Sequence, residues 1–113
     1  MWRDPAWVLD MQRSSRQALL YASTLTRDQF LGTPKEQDAI LRQLTILGEA
    51  VKRVSQEFRD QHPEIAWKRV AGFRDVVVHD YFHVDLEEVW RIVSEDLPAL
   101  VQQLDRLAAG LDT

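Results

Sequence analysis

Apolar residues recur along this chain in steps of three and four and nowhere alternate, so the pattern predicts helices and no strands. Asp4-Pro5 reads as a helix start, a carboxylate cap followed by proline at the first helical position. Val8, Met11, Ala18, Ala22 and Leu25 then predict a helix over about 5–25, broken only by the small Ser15. Thr26 can cap a short helical turn through Phe30-Leu31, which Gly32 stops. Thr33-Pro34 repeats the cap-then-proline signal, with Glu36 in the first turn, and opens the longest predicted helix, about 34–60. Ile40, Leu44, Leu47, Val51, Val54 and Phe58 give it an unbroken heptad seam, the pattern of helices packed near-antiparallel in a bundle. Gly48 costs this helix about 1 kcal/mol relative to alanine, which predicts a close backbone approach at that point.

His62-Pro63 ends the long helix, and the next runs over about 64–78. Trp67, Val70, Ala71, Arg74 and Val78 share one stripe of it, so Arg74 stands among apolar residues. An unpaired guanidinium is costly there, and an anion from the protein or from a ligand must answer it. A loop over 79–84 leads to Asp85 and Glu88, which match a capping box for a last helix over about 86–109. Leu86, Trp90, Val93, Leu97, Leu100, Leu104, Leu107 and Leu111 form its seam, and Pro98 predicts a kink near Ser94. The expected fold is all-α: one domain over 1–113, an antiparallel four-helix bundle with one extra short helical turn. Two long seams and four tryptophans on a chain of 113 residues predict surplus apolar surface, hence a homodimer.

Composition narrows the chemistry. The absence of cysteine excludes disulfides, zinc-thiolate sites and thiol nucleophiles. No apolar run approaches the roughly 20 residues of a membrane span, and the start lacks a signal-peptide core, so a cytoplasmic protein without membrane contact is expected. The net charge of −4 argues against a general nucleic-acid coat protein. Charge is unevenly spread: residues 52–74 hold six basic groups (Lys52, Arg53, Arg59, Lys68, Arg69, Arg74) against three acidic, whereas 75–113 hold nine acidic against two basic. Solvated helix faces explain much of such a bias.

The candidate chemistry lies in Gly72-Phe73-Arg74-Asp75-Val76-Val77-Val78-His79-Asp80-Tyr81. Arg74 and His79 are five residues apart, about 140° on an ideal helix, and face each other only if the helix ends at Val78. His79 would then sit at the negative helix terminus, which favours the imidazolium. A histidine titrating near neutrality beside a fixed cation suits acid–base work on a phosphodiester. The alternative is a C-capping histidine and an Arg74 paired with Glu49 or Asp75. Tyr81 either serves a phosphate or anchors the loop. His62 and His83 are too scattered for a metal site, and Asp85 already has a capping role. No phosphate-cradling glycine loop, serine elbow or carboxylate pair is present.

Arg74-x4-His79-x-Tyr81, with the polar Asp75 directly after the arginine, resembles the R-x4-6-H signature of HEPN domains and, more narrowly, the R-x4-H-x-Y form of HepT-type toxins. The resemblance covers about residues 35–105. It includes Ile46-Leu47-Gly48-Glu49-Ala50-Val51-Lys52-Arg53, His62-Pro63-Glu64-Ile65-Ala66-Trp67, His79-Asp80-Tyr81-Phe82 and Asp96-Leu97-Pro98. It implies a small helical toxin that dimerises with two motifs lining one cleft and cuts RNA without a metal or cofactor. Arg74 would bind the scissile phosphate and His79 would be the general acid/base, with Asp75 supporting the cleft. The implied partner is a minimal nucleotidyltransferase antitoxin that transfers AMP to Tyr81, placing negative charge beside the cleft. Residue by residue, the resemblance assigns no role to Glu49 or Arg53.

Overall fold

The computed structural model describes residues 2–78 and 84–111. Helix α1 (Asp4–Ala22), α3 (Pro34–Arg53), α5 (Trp67–Val78) and a final rod formed by α6 (Leu86–Arg91), a π-helical turn (Ile92–Asp96) and α7 (Leu97–Leu111) make the all-α bundle. Two short helices, α2 (Arg27–Leu31) and α4 (Gln56–Gln61), join it where one was expected. Helix α3 lies between α1 and α5, and α1 packs in turn on α7, within an envelope of 43 × 27 × 18 Å. Among the described residues no helix is long and apolar enough to cross a membrane.

The predicted helix over 34–60 is in fact two. Val54 takes an extended conformation, and Ser55 caps α4 by accepting the Phe58 N–H at 3.1 Å. The seam conceals the break because Val54 and Phe58 stay in the core on either side of it. Arg59 closes the gap from below, its Nη2 donating to the Val51 carbonyl at 2.6 Å, one of the orphan acceptors at the end of α3.

Asp4 also departs from expectation. The N-cap of α1 is Arg3, which makes no side-chain cap, while Asp4 is helical and buried. Its carboxylate accepts the Ser55 N–H at 2.8 Å and the Ser55 hydroxyl at 2.7 Å, fastening the start of α1 to the break between α3 and α4. Burial raises the Asp4 pKa, but hydrogen bonds, those from Ser55 among them, outweigh it and hold the group below its ordinary value.

Other ends follow the sequence more closely. Thr26 and Gln29 form a complete capping box on α2, with bonds of 3.2 and 2.9 Å. Thr33, by contrast, does not cap α3; its hydroxyl donates to the Gln29 carbonyl. Asp85 accepts the Glu88 N–H at 3.1 Å, but the Glu88 carboxylate is bound to Arg91 and does not complete the box. Near Ser94, where a kink was expected, the helix holds a π-helical turn, which accommodates the N–H that Pro98 lacks.

The middle of each seam is consumed within one chain. Ile40, Leu44, Leu47 and Val51 of α3 and Leu97 and Leu104 of α7 are fully buried. The exposed large apolar side chains sit mostly on or before α1, with Trp2 80% and Leu20 60% exposed. Of the seam residues, Leu111 is exposed and Leu86 and Trp90 are half-buried, so the last helix leaves apolar surface at its two ends.

Candidate functional site

Arg74 leaves α5 where that helix comes closest to α3. A Cβ placed on Gly48 would lie 2.5 Å from the Arg74 Cβ and 3.1 Å from its backbone nitrogen, so only glycine admits this approach. The close contact expected at Gly48 is thus made by the motif arginine itself. Arg74 is half-buried and meets the Glu49 carboxylate through Nε. That nitrogen is buried, and the carboxylate approaches it from outside the N–H direction, so the pair is ionic without an aligned hydrogen bond. Asp75 is a distant second partner, with Oδ1 3.9 Å from Arg74 Nη1. The same oxygen lies 3.6 Å from Lys52 Nζ. Glu49, Lys52, Arg74 and Asp75 form a surface quartet of alternating sign along the α3–α5 groove.

The basic excess of residues 52–74 is largely answered inside the molecule. Arg69 binds Asp96 in a fork at 2.9 and 2.6 Å, and that hydrogen bonding, followed by the Asp96 charge, raises its pKa further. Arg53 lies over the Trp7 ring, 5.2 Å from its centroid. Lys68 alone of the six has no acidic, ring or carbonyl partner among the described residues. Among the described residues these groups form no continuous basic track for a nucleic-acid backbone.

His79, Asp80, Tyr81 and His83 lie outside the described residues, and with them the expected pairing of Arg74 with His79 and the place of Tyr81. The elements that bracket them are firmly set. Upstream, α5 is fixed by the Gly48 contact and by the buried Trp67, Val70 and Phe73. Downstream, α6 is capped by Asp85, Arg27 reaches from α2 to Glu87 at 2.9 Å, and the Phe30 ring packs on Trp90 at 5.3 Å. The short α2 is a strap across the start of α6.

His62 has a structural setting. Its ring stacks on Phe58 at 4.4 Å, its carbonyl accepts the Trp67 Nε1–H at 2.9 Å, and its Nδ1 lies 3.4 Å from Glu64. A cavity of about 700 Å³ opens beside Trp67, Gly72, Phe73, Val76 and Ile92. Gly72 and Val76 are each about 160° around α5 from Arg74, so this cavity belongs to the opposite face and not to the arginine site.

The family model described as Ribonuclease HepT-like matches residues 11–107 of this chain, a span that contains the whole Arg74-x4-His79-x-Tyr81 motif. A Methanocaldococcus jannaschii protein named "Gamma-glutamylcyclotransferase and putative RNase" is 37% identical over 92 residues, covering 81% of this chain and 41% of that protein. A second protein of that organism, named "Putative RNase", is 29% identical over 107 residues, covering 95% of this chain and 88% of its own length. The Thermococcus cleftensis protein "Probable ribonuclease HepT" is 41% identical over 80 residues, covering 71% of this chain and 73% of that one. The chain thus spans under half of the first relative and most of the other two. No solved structure matches it. With the matched span running from the middle of α1 to Leu107, one turn short of the end of α7, the chain belongs to the HepT-like ribonuclease family.

Proposed function

We propose that this chain is a metal-independent endoribonuclease, the toxin of a type VII-like toxin–antitoxin pair, acting as a homodimer. The observation that carries the reading is the family match across a motif whose arginine is held, half-exposed, at the α3–α5 contact. Arg74 binds the scissile phosphate and stabilises the charge that builds on its oxygens. His79 takes the proton from the ribose 2′-hydroxyl as that oxygen attacks the adjacent phosphorus. The O2′–P bond forms, the P–O5′ bond breaks, and the departing 5′-oxygen takes its proton from the His79 imidazolium, directly or through water. The products are a 2′,3′-cyclic phosphate and a 5′-hydroxyl.

The partner in this reading is a minimal nucleotidyltransferase antitoxin. The Tyr81 hydroxyl attacks the α-phosphorus of ATP, a phenolic O–P bond forms, pyrophosphate leaves and the hydroxyl proton passes to a base. The AMP group adds negative charge and bulk to the motif and repels RNA. A second reading, a non-catalytic dimer that binds a nucleotide or partner, draws on the Glu49 carboxylate, which already faces Arg74 and opposes a phosphate there.

The test is incubation of purified wild-type and His79→Ala protein with total RNA in EDTA, with the new ends characterised. Cleavage by wild type alone, leaving cyclic phosphate and 5′-hydroxyl ends, is the expected result. Equal cleavage by His79→Ala would remove the catalytic assignment, and no cleavage by either protein would favour the binding module.

A further inference from the structure

We propose that the Gly48-Glu49 step of α3 is the positioning element for Arg74, with Gly48 setting how near α5 comes and Glu49 trading RNA affinity for a fixed guanidinium. The proposal rests on the phosphate-binding role of Arg74 in the ribonuclease reading.

Arg74 emerges directly over Gly48, where its Cβ and backbone nitrogen are closer than any side chain on α3 allows. The neighbouring residue on α3 is Glu49, whose carboxylate reaches the guanidinium from the Nε side. Nε is covered while the side chain as a whole remains 31% exposed, so the Nη groups are the ones left for an incoming anion. Asp75 does not hold them, since it lies 3.9 Å from Nη1 and closer, 3.6 Å, to Lys52. Each carboxylate of the quartet therefore has its own nearer cation. Glu49 serves Arg74, and Lys52 draws Asp75 aside.

Two consequences separate this arrangement from a merely structural ion pair. The negative charge of Glu49 repels the phosphate that Arg74 binds, so removing the charge tightens RNA binding. The contact itself holds the guanidinium in one direction, so removing the contact slows the chemical step. Glu49→Gln loses the charge and keeps an oxygen at the same place. Glu49→Ala loses both.

In steady-state cleavage of a defined RNA, both variants are expected to lower KM by about two- to fivefold. Because the pair is ionic, both variants are expected to lower kcat, Glu49→Ala by about tenfold and Glu49→Gln, which keeps the side chain's bulk and a polar oxygen, by less. A structural role would lower the active fraction without lowering KM, and unchanged or raised KM in both variants overturns the proposal. The second readout is the Arg74 Nε–H resonance in 15N spectra, measured without RNA. It should shift in Glu49→Ala and stay near its wild-type position in Asp75→Ala. If wild type cleaves no RNA, the ribonuclease reading falls and this resonance alone decides the positioning role; an Arg74 signal indifferent to Glu49→Ala overturns it.

Discussion

Replacing Gly48 with alanine separates the stability of the bundle from the geometry of its site. The new Cβ would stand 2.5 Å from the Arg74 Cβ, 3.1 Å from its nitrogen and 3.3 Å from its Cα. Carbon atoms in good contact are about 3.5–4.0 Å apart, so α5 must retreat by about 1 Å at Arg74. Two of the three obstructing atoms are backbone, so a rotamer change cannot relieve the clash. Overpacking of this kind costs about 1–3 kcal/mol. Alanine in a helix interior recovers about 1 kcal/mol of propensity over glycine. The net loss should therefore fall between about zero and 2 kcal/mol, read as a lower urea midpoint with an unchanged slope. A displacement of about 1 Å at a phosphate-binding group can cost about a hundredfold in rate. Gly48→Ala should thus remain folded while RNA cleavage falls far more than stability.

Gly72→Ala is the control. It lies on α5 two residues from Arg74, yet a Cβ there meets nothing within 4 Å. It should gain the propensity term, about 1 kcal/mol, with no steric loss and with cleavage retained. If Gly48→Ala is stabilised like Gly72→Ala and cleaves like wild type, the close approach of α3 and α5 does not govern Arg74.

Two further outcomes follow from the fold. Asp4→Ala removes a carboxylate that accepts two bonds from Ser55 and should cost about 3–6 kcal/mol in denaturant unfolding, since bonds to charged groups contribute about 1.5–3 kcal/mol each; because the folded pKa of Asp4 lies below the ordinary 3.8, its contribution is complete above that value and is lost as pH falls through the lowered one, so wild-type stability should decline more steeply than that of Asp4→Asn in this acidic window. Phe30→Ala empties a fully buried site against Trp90 and should cost about 3–5 kcal/mol, a smaller loss showing that the α2 strap is not integral to the core.

The rods of this bundle were legible because burial imposes a period on sequence. Every apolar residue of the α3 seam from Ile40 to Val51 is buried, and the heptad steps said as much. What the period could not show was the break at Ser55, because Val54 and Phe58 keep the core supplied on both sides. The cause of that break is a long-range partner. Asp4 precedes proline and looks like a cap, but its carboxylate is committed to Ser55, 51 residues away. Local chemistry identified a residue that wants backbone donors without revealing which donors the fold brings to it. The same limit applies to the surplus apolar surface, since only packing shows how much of each seam one chain buries and that Leu111 stays exposed.

Arg74 shows how far such reasoning reaches at the site. A guanidinium on a stripe with Trp67 and Val70 requires an anion, and the sequence offered Glu49 and Asp75. Only the fold ranks them: Glu49 lies across the groove on α3 in contact with Arg74, whereas the adjacent Asp75, turned about 100° around α5, is 3.9 Å away. Gly48 is the companion signal. A residue that weakens its own helix is explained only by a neighbour that needs the space, and the neighbour here is the arginine of the motif. The local cost in α3 and the half-buried charge on α5 are two sides of one contact. A substitution on α3 is therefore the sharpest way to alter Arg74 without touching it.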